Sequence, residues 1–114
     1  MTLENASKYY EIDYERMALY EQKGLISGVK TENGTDYSDA ELQKISLIDL
    51  LREANFSFEE IRFYLNDTDN AIDTIKKITL LKRQRSEVLD EIHVKQKILQ
   101  NLDYLIYETE KKKL

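Results

Sequence analysis

The stretch Tyr20-Glu21-Gln22-Lys23-Gly24-Leu25-Ile26-Ser27-Gly28-Val29-Lys30-Thr31-Glu32-Asn33-Gly34-Thr35-Asp36-Tyr37-Ser38-Asp39-Ala40-Glu41-Leu42 decides the fold. It reads as a helix end, a short hairpin and a helix start. Gly24 stands where a helix terminates through a left-handed residue. Asn33-Gly34 between short polar-apolar runs is the strongest local hairpin signal, because the central residues of a type I′ turn need positive φ. Ser38 with Glu41 has the spacing of a capping box, and Leu42, Ile45, Ile48, Leu50 and Leu51 follow at helical intervals.

Outward from this stretch the signals stay helical. Residues 3–10 form a short helix, and Asp13 caps a second over 14–23. The helix opened by Ser38 ends near Asn55. Ser57 with Glu60 repeats the capping box and starts a helix carrying Ile61, Tyr64 and Leu65. After a polar break, Asn66 to Asn70, nothing interrupts a helix from Ala71 to about Glu110. Ile78, Leu81, Arg85, Val88, Ile92, Lys95, Leu99, Leu102 and Ile106 alternate steps of three and four, which is a heptad seam. At about 1.5 Å per residue it runs roughly 42 Å. A small head cannot cover that stripe, so Leu81, Val88, Ile92, Leu99, Leu102 and Ile106 are expected to meet a second copy in a homodimer. Leu89, Ile98 and Leu105 flank the seam. The spacing leaves the orientation of the pair open.

The expected architecture is mainly α: a winged helix-turn-helix head with a short β-hairpin wing over 1–68, then a coiled-coil dimerisation helix over 69–114. The chain has 114 residues, 41% apolar and 34% charged, with no proline and no cysteine. Disulfides and thiolate metal sites are therefore excluded, and a reducing cytoplasm is the expected location. No apolar run reaches membrane-spanning length, and no signal peptide is recognisable at the start. Residues 1–70 hold seven Lys/Arg against fifteen Asp/Glu, a net −8, while residues 71–114 hold ten against seven, a net +3. A head this acidic is an unusual platform for nucleic acid.

These residues resemble a known family. Tyr20-Glu21-x-x-Gly24-Leu25-Ile26 is similar to the "YYExxGL" segment of MerR-type transcriptional regulators. Asn33-Gly34 followed by Tyr37-Ser38 resembles their wing and its exit. Glu41-Leu42-x-x-Ile45 and Leu51-Arg52-x-x-x-Phe56-Ser57-x-Glu59-Glu60-Ile61 resemble the two helices after it. The resemblance covers roughly residues 3–65. It implies a symmetric dimer joined by an antiparallel coiled coil, binding promoter DNA with an overlong spacer and distorting it for polymerase. Arg16, Tyr20, Lys30, Asn33 and Tyr37 are the residues this reading places near DNA.

The departures from the family pattern fall on the parts that touch DNA. The two arginines and first tyrosine of its Arg-x-x-Arg-Tyr-Tyr-Glu helix stand here as Glu15, Ala18 and Leu19, and the Tyr-Arg of its wing as Thr35-Asp36, with one residue missing before Tyr37. Glu11 replaces a glycine of the first turn, and Asp13 a serine cap. Lys30 remains at a matching position, and Arg16 is basic but one step along the helix. Each lost phosphate contact removes about one unit of salt slope, and like charges across an interface cost several kcal/mol. The rival reading is a MerR-like scaffold that has lost operator binding and acts through a protein partner on its acidic head.

Other features have plain readings beside functional ones. The head tyrosines (Tyr9, Tyr10, Tyr14, Tyr20, Tyr37, Tyr64) are half-polar core residues, or they line a pocket or partner surface. His93, the only histidine, lacks companions for a metal site and reads as a rim residue of the coil. Lys82-Arg83-Gln84-Arg85 with Lys76 and Lys77 is a solvated coil face, or a basic patch for phosphates or acids. No glycine-rich phosphate loop and no nucleophile–histidine arrangement is present, so neither an enzyme nor a cofactor is expected.

Overall fold

The computed structural model describes residues 14–67 and 70–113. The expected helix over 3–10 and the Asp13 cap lie outside them. The described elements are α1 (Tyr14–Gln22), β1 (Val29–Thr31), β2 (Gly34–Asp36), α2 (Asp39–Glu53), α3 (Phe58–Leu65) and α4 (Ala71–Lys113). The mainly helical architecture, with one two-stranded antiparallel hairpin and a long last helix, is the one expected from the sequence. The chain divides into two compact units, Met1–Lys77 and Ile78–Leu114.

In the first unit, two helix ends are closed by the same device. Gly24 takes φ +72°, its N–H donates to the Glu21 carbonyl, and the Leu25 N–H reaches back to Tyr20. Asn55 takes φ +64°, its N–H donates to Arg52, and the Phe56 N–H to Leu51. Both are Schellman closures, and the positions that flank each one, Tyr20 and Leu25, and Leu51 and Phe56, are all buried. Asparagine tolerates the left-handed region better than other non-glycine residues.

α3 begins with a complete capping box between Ser57 and Glu60. The box expected at Ser38 is half made. The Ser38 hydroxyl accepts from the Glu41 N–H, but the Glu41 carboxylate accepts instead from the Ser27 N–H at 2.9 Å and from Lys44 at 2.8 Å. These donors take the place of the Ser38 N–H, and the one from Ser27 ties the segment after α1 to the first turn of α2. Burial pushes the Glu41 carboxyl up, but Lys44 and the Ser27 N–H outweigh it and leave it below the ordinary carboxylate range.

The hairpin turn also differs from the type I′ expected. Val29 pairs with Asp36, Lys30 with Thr35, and Thr31 with Gly34, so Glu32 and Asn33 are the central turn residues. Of the turn residues, Gly34 alone has positive φ, at +111°. The loop therefore has two residues, and the positive φ falls one step after them, on Gly34 at the start of β2, where glycine adopts it without strain. The Thr31 hydroxyl donates to the Gly34 carbonyl at 2.7 Å and accepts from the Asn33 N–H, fixing the tip.

The core of the head is made by Met17, Tyr20, Leu25, Ile26, Tyr37, Leu42, Ile45, Ile48, Leu51, Phe56 and Ile61. On α2 the buried set recurs every three residues, and Leu50, between two of them, is exposed. In the second unit, α4 carries Leu81, Ile92, Leu99, Leu102 and Ile106 as exposed side chains in the isolated chain, and Val88 half-exposed. No helix among the described residues is long and apolar enough to cross a membrane.

Candidate nucleic-acid interface

The head's candidate DNA face is built from α1 and the hairpin. Helical geometry turns Met17 and Tyr20 of α1 into the core and leaves Glu15, Ala18, Leu19 and Gln22 on the outer side. Tyr14, at the start of the helix, is half exposed. The outer side of α1 therefore presents a carboxylate and apolar groups where the family pattern has arginines.

The five residues expected near DNA divide into surface and support. Lys30 and Asn33 are exposed on the wing. Among the described head cations, the Lys30 ammonium makes no hydrogen bond, ion pair or ring contact; that of Lys44, by contrast, is held by Glu41. Tyr20 and Tyr37 are 0% and 1% exposed and present no ring surface outward. The Tyr20 hydroxyl donates to Asp49 of α2 and accepts from Arg52 at 3.3 Å. The Tyr37 hydroxyl donates to the Glu21 carboxylate at 2.5 Å, joining the end of the wing to α1. Burial raises both phenols above their ordinary pKa, and the bond to Asp49 or Glu21 adds to it; Arg52 partly offsets the rise at Tyr20. Arg16 leaves α1 sideways, with Nη1 3.6 Å from Asp49 Oδ2. Two more cations brace the head internally: Arg62 donates through Nε and Nη2 to the Lys23 carbonyl at 3.1 and 2.6 Å, and Arg52 stacks on Tyr20 and Phe58.

Sequence reasoning missed Gly28. A Cβ there would lie 2.6 Å from the Asp36 carbonyl oxygen, 2.6 Å from Thr35 Cγ2 and 3.0 Å from the Tyr37 ring. An isolated glycine at the edge of a strand marks such a close approach, and that was the available signal. Gly28→Ala is expected to force the start of the hairpin away from its end at Thr35, Asp36 and Tyr37 and cost about 1–3 kcal/mol, as overpacking does. Urea denaturation checks the loss, and wild-type stability would show that the wing has room to shift.

On the second unit, His93 is exposed, as are Lys82, Arg83 and Arg85. Nearer the head, Lys77 donates to the Asn66 carbonyl and lies 5.9 Å over the Phe63 ring.

Comparison with known proteins agrees with this geometry. No curated protein matches the chain. A crystal structure from Listeria monocytogenes, titled as that of a MerR family transcriptional regulator, is similar at 28% identity and a TM-score of 0.73, covering 93% of this chain and 83% of that one. The family model for MerR helix-turn-helix regulatory proteins matches residues 1–68. With its helix, wing, two following helices and long terminal helix, the chain belongs to the MerR family of transcriptional regulators.

Proposed function

We propose that the chain is a cytoplasmic regulator that binds promoter DNA as a homodimer, with a head over 1–68 and a pairing helix over 69–114. The carrying observation is the braced wing: exposed Lys30 and Asn33 sit on a hairpin held to α1 by the half-buried Tyr37–Glu21 bond. An ordered hairpin beside a helix can enter adjacent grooves only if the two are held in register, and that bond holds them. Phosphate contacts then come from Lys30, and from Arg16 when it is released from Asp49.

The test is fluorescence anisotropy of the dimer with pooled genomic fragments, including its own upstream region, at about 50 and about 200 mM salt. Selected fragments are expected to bind tighter than about 10⁻⁷ M, and the added salt to weaken them steeply. A folded dimer that binds nothing at the lower salt sinks the reading.

A second reading rests on the outer side of α1. Tyr14 and Leu19 beside Glu15 form a surface closer in chemistry to a protein contact than to a DNA contact. Under that reading the acidic head meets a basic protein partner, and Tyr14→Ala weakens the partner while leaving DNA binding absent.

A further inference from the structure

The flank of α1 gathers two guanidiniums, Arg16 beside the Asp49 carboxylate and Arg52 on the Tyr20 hydroxyl. Arg16 Nη1 lies 3.6 Å from Asp49 Oδ2, with both side chains only about one-third exposed (35% and 29%). Arg16 Nε is buried without a hydrogen-bond partner. The other Asp49 oxygen accepts from Tyr20, whose hydroxyl in turn accepts from Arg52. These residues and Glu53 line an open hollow of about 340 Å³. A carboxylate in such a place stands where a phosphate oxygen would, since both are anionic acceptors that match the guanidinium fork. The fork is only half used: one Nη meets Asp49 at long range while Nε is left unbonded.

We propose that Asp49 masks Arg16, so that a DNA backbone phosphate must displace an internal anion to take this arginine. The idea rests on the DNA-binding reading above. The mask would leave a cation of α1 contributing little to affinity until Asp49 is displaced.

The test is D49N, which removes the charge and keeps an oxygen to accept from Tyr20. With a labelled mixed-sequence duplex, D49N is expected to bind about tenfold tighter. Its salt slope should steepen by about two, one phosphate contact from each protomer of a dimer. E53Q makes the same charge change in the same hollow without touching Arg16, and is expected to leave the slope unchanged. Arg16→Ala is expected to change wild-type binding little and to abolish the gain in the D49N background. A D49N gain no larger than that of E53Q, or one that survives loss of Arg16, overturns the mask. A second measurement separates this from failure of the DNA reading: inorganic phosphate is titrated while the Arg16 Nε–H resonance is followed by NMR. A saturable shift in D49N and none in wild type supports the mask even if neither protein binds DNA. No shift in D49N overturns it.

Discussion

Replacing Ile92 and Leu99 together with aspartate is expected to convert a dimer into folded monomers. Both side chains lie on the heptad seam and are about half exposed in the single chain, 46% and 59%, so the change leaves the head core untouched. In a paired seam it would bury two carboxylates per chain without partners. At a few kcal/mol for each, the dissociation constant should rise by at least a thousandfold, since about 1.4 kcal/mol is a factor of ten. Light scattering reads the result, and circular dichroism confirms that the head is still folded. A dimer that survives the double substitution would show that this seam is not the interface.

The same seam constrains how two copies pair. In a parallel, in-register pair Arg85 would face Arg85 of its partner and Lys95 would face Lys95, placing like charges in core layers. An antiparallel pair with Leu81 opposite Ile106, Val88 opposite Leu99 and Ile92 opposite Lys95 sets Arg85 against Leu102 and brings Lys82 beside Asp103. The chain has no cysteine, so introduced thiols report without background. L81C in one protomer and I106C in the other are expected to form a disulfide, and L81C alone is not, because a disulfide needs Cα atoms within about 7 Å. Efficient oxidation of L81C to a covalent dimer would establish the parallel arrangement instead.

What the sequence disclosed, and what it hid, follows from the range of the interactions. Ser57 with Glu60, Gly24 at the end of α1 and the heptad steps after Ile78 were legible because each acts within one or two helical turns. Asn33-Gly34 marked the hairpin but not its register: Thr31 pairs with Gly34, so the two central residues are Glu32 and Asn33, one step before the dipeptide expected there. The contacts that shape the candidate face span much longer separations. Tyr20 reaches Asp49 and Arg16 reaches the same carboxylate, and no pattern along the chain announces either. Glu41 had the right spacing for a cap and took the Ser27 N–H instead. Tyrosine is ambiguous by nature: the ring favours burial and the hydroxyl needs a partner. Its presence at 20 and 37 therefore did not reveal that both rings face inward. The arginine and carboxylate positions stood out along the chain as departures from a family pattern. Their consequence needed the fold, because Arg16 matters through where Asp49 sits.

Tyr37 carries the second large effect. Its ring fills the junction of wing, α1 and Gly28, and its hydroxyl is the bond between wing and helix. Tyr37→Ala is expected to cost about 3–5 kcal/mol, as large-to-small core changes do. That is a large share of the ~5–15 kcal/mol that holds a domain together. Tyr37→Phe keeps the ring and removes the hydroxyl with its bond to Glu21, for about 1–1.5 kcal/mol. The two variants separate packing from tethering: the first should unfold at much lower urea, while the second should stay folded with a looser wing. Alkaline pH gives an independent reading. Burial, followed by the Glu21 bond, raises the phenol above its ordinary value near 10, so the folded state holds this proton more tightly than the unfolded chain does. The stability from that difference is fully present below about pH 10 and is lost as pH rises beyond it. Tyr20 shifts the same way and keeps its share in Tyr37→Phe. Urea midpoints measured across the alkaline range should therefore fall more steeply for wild type than for Tyr37→Phe. Equal slopes would mean that the Tyr37 hydroxyl ionises in the folded head as it does in water, and that the wing is not held to α1 through it.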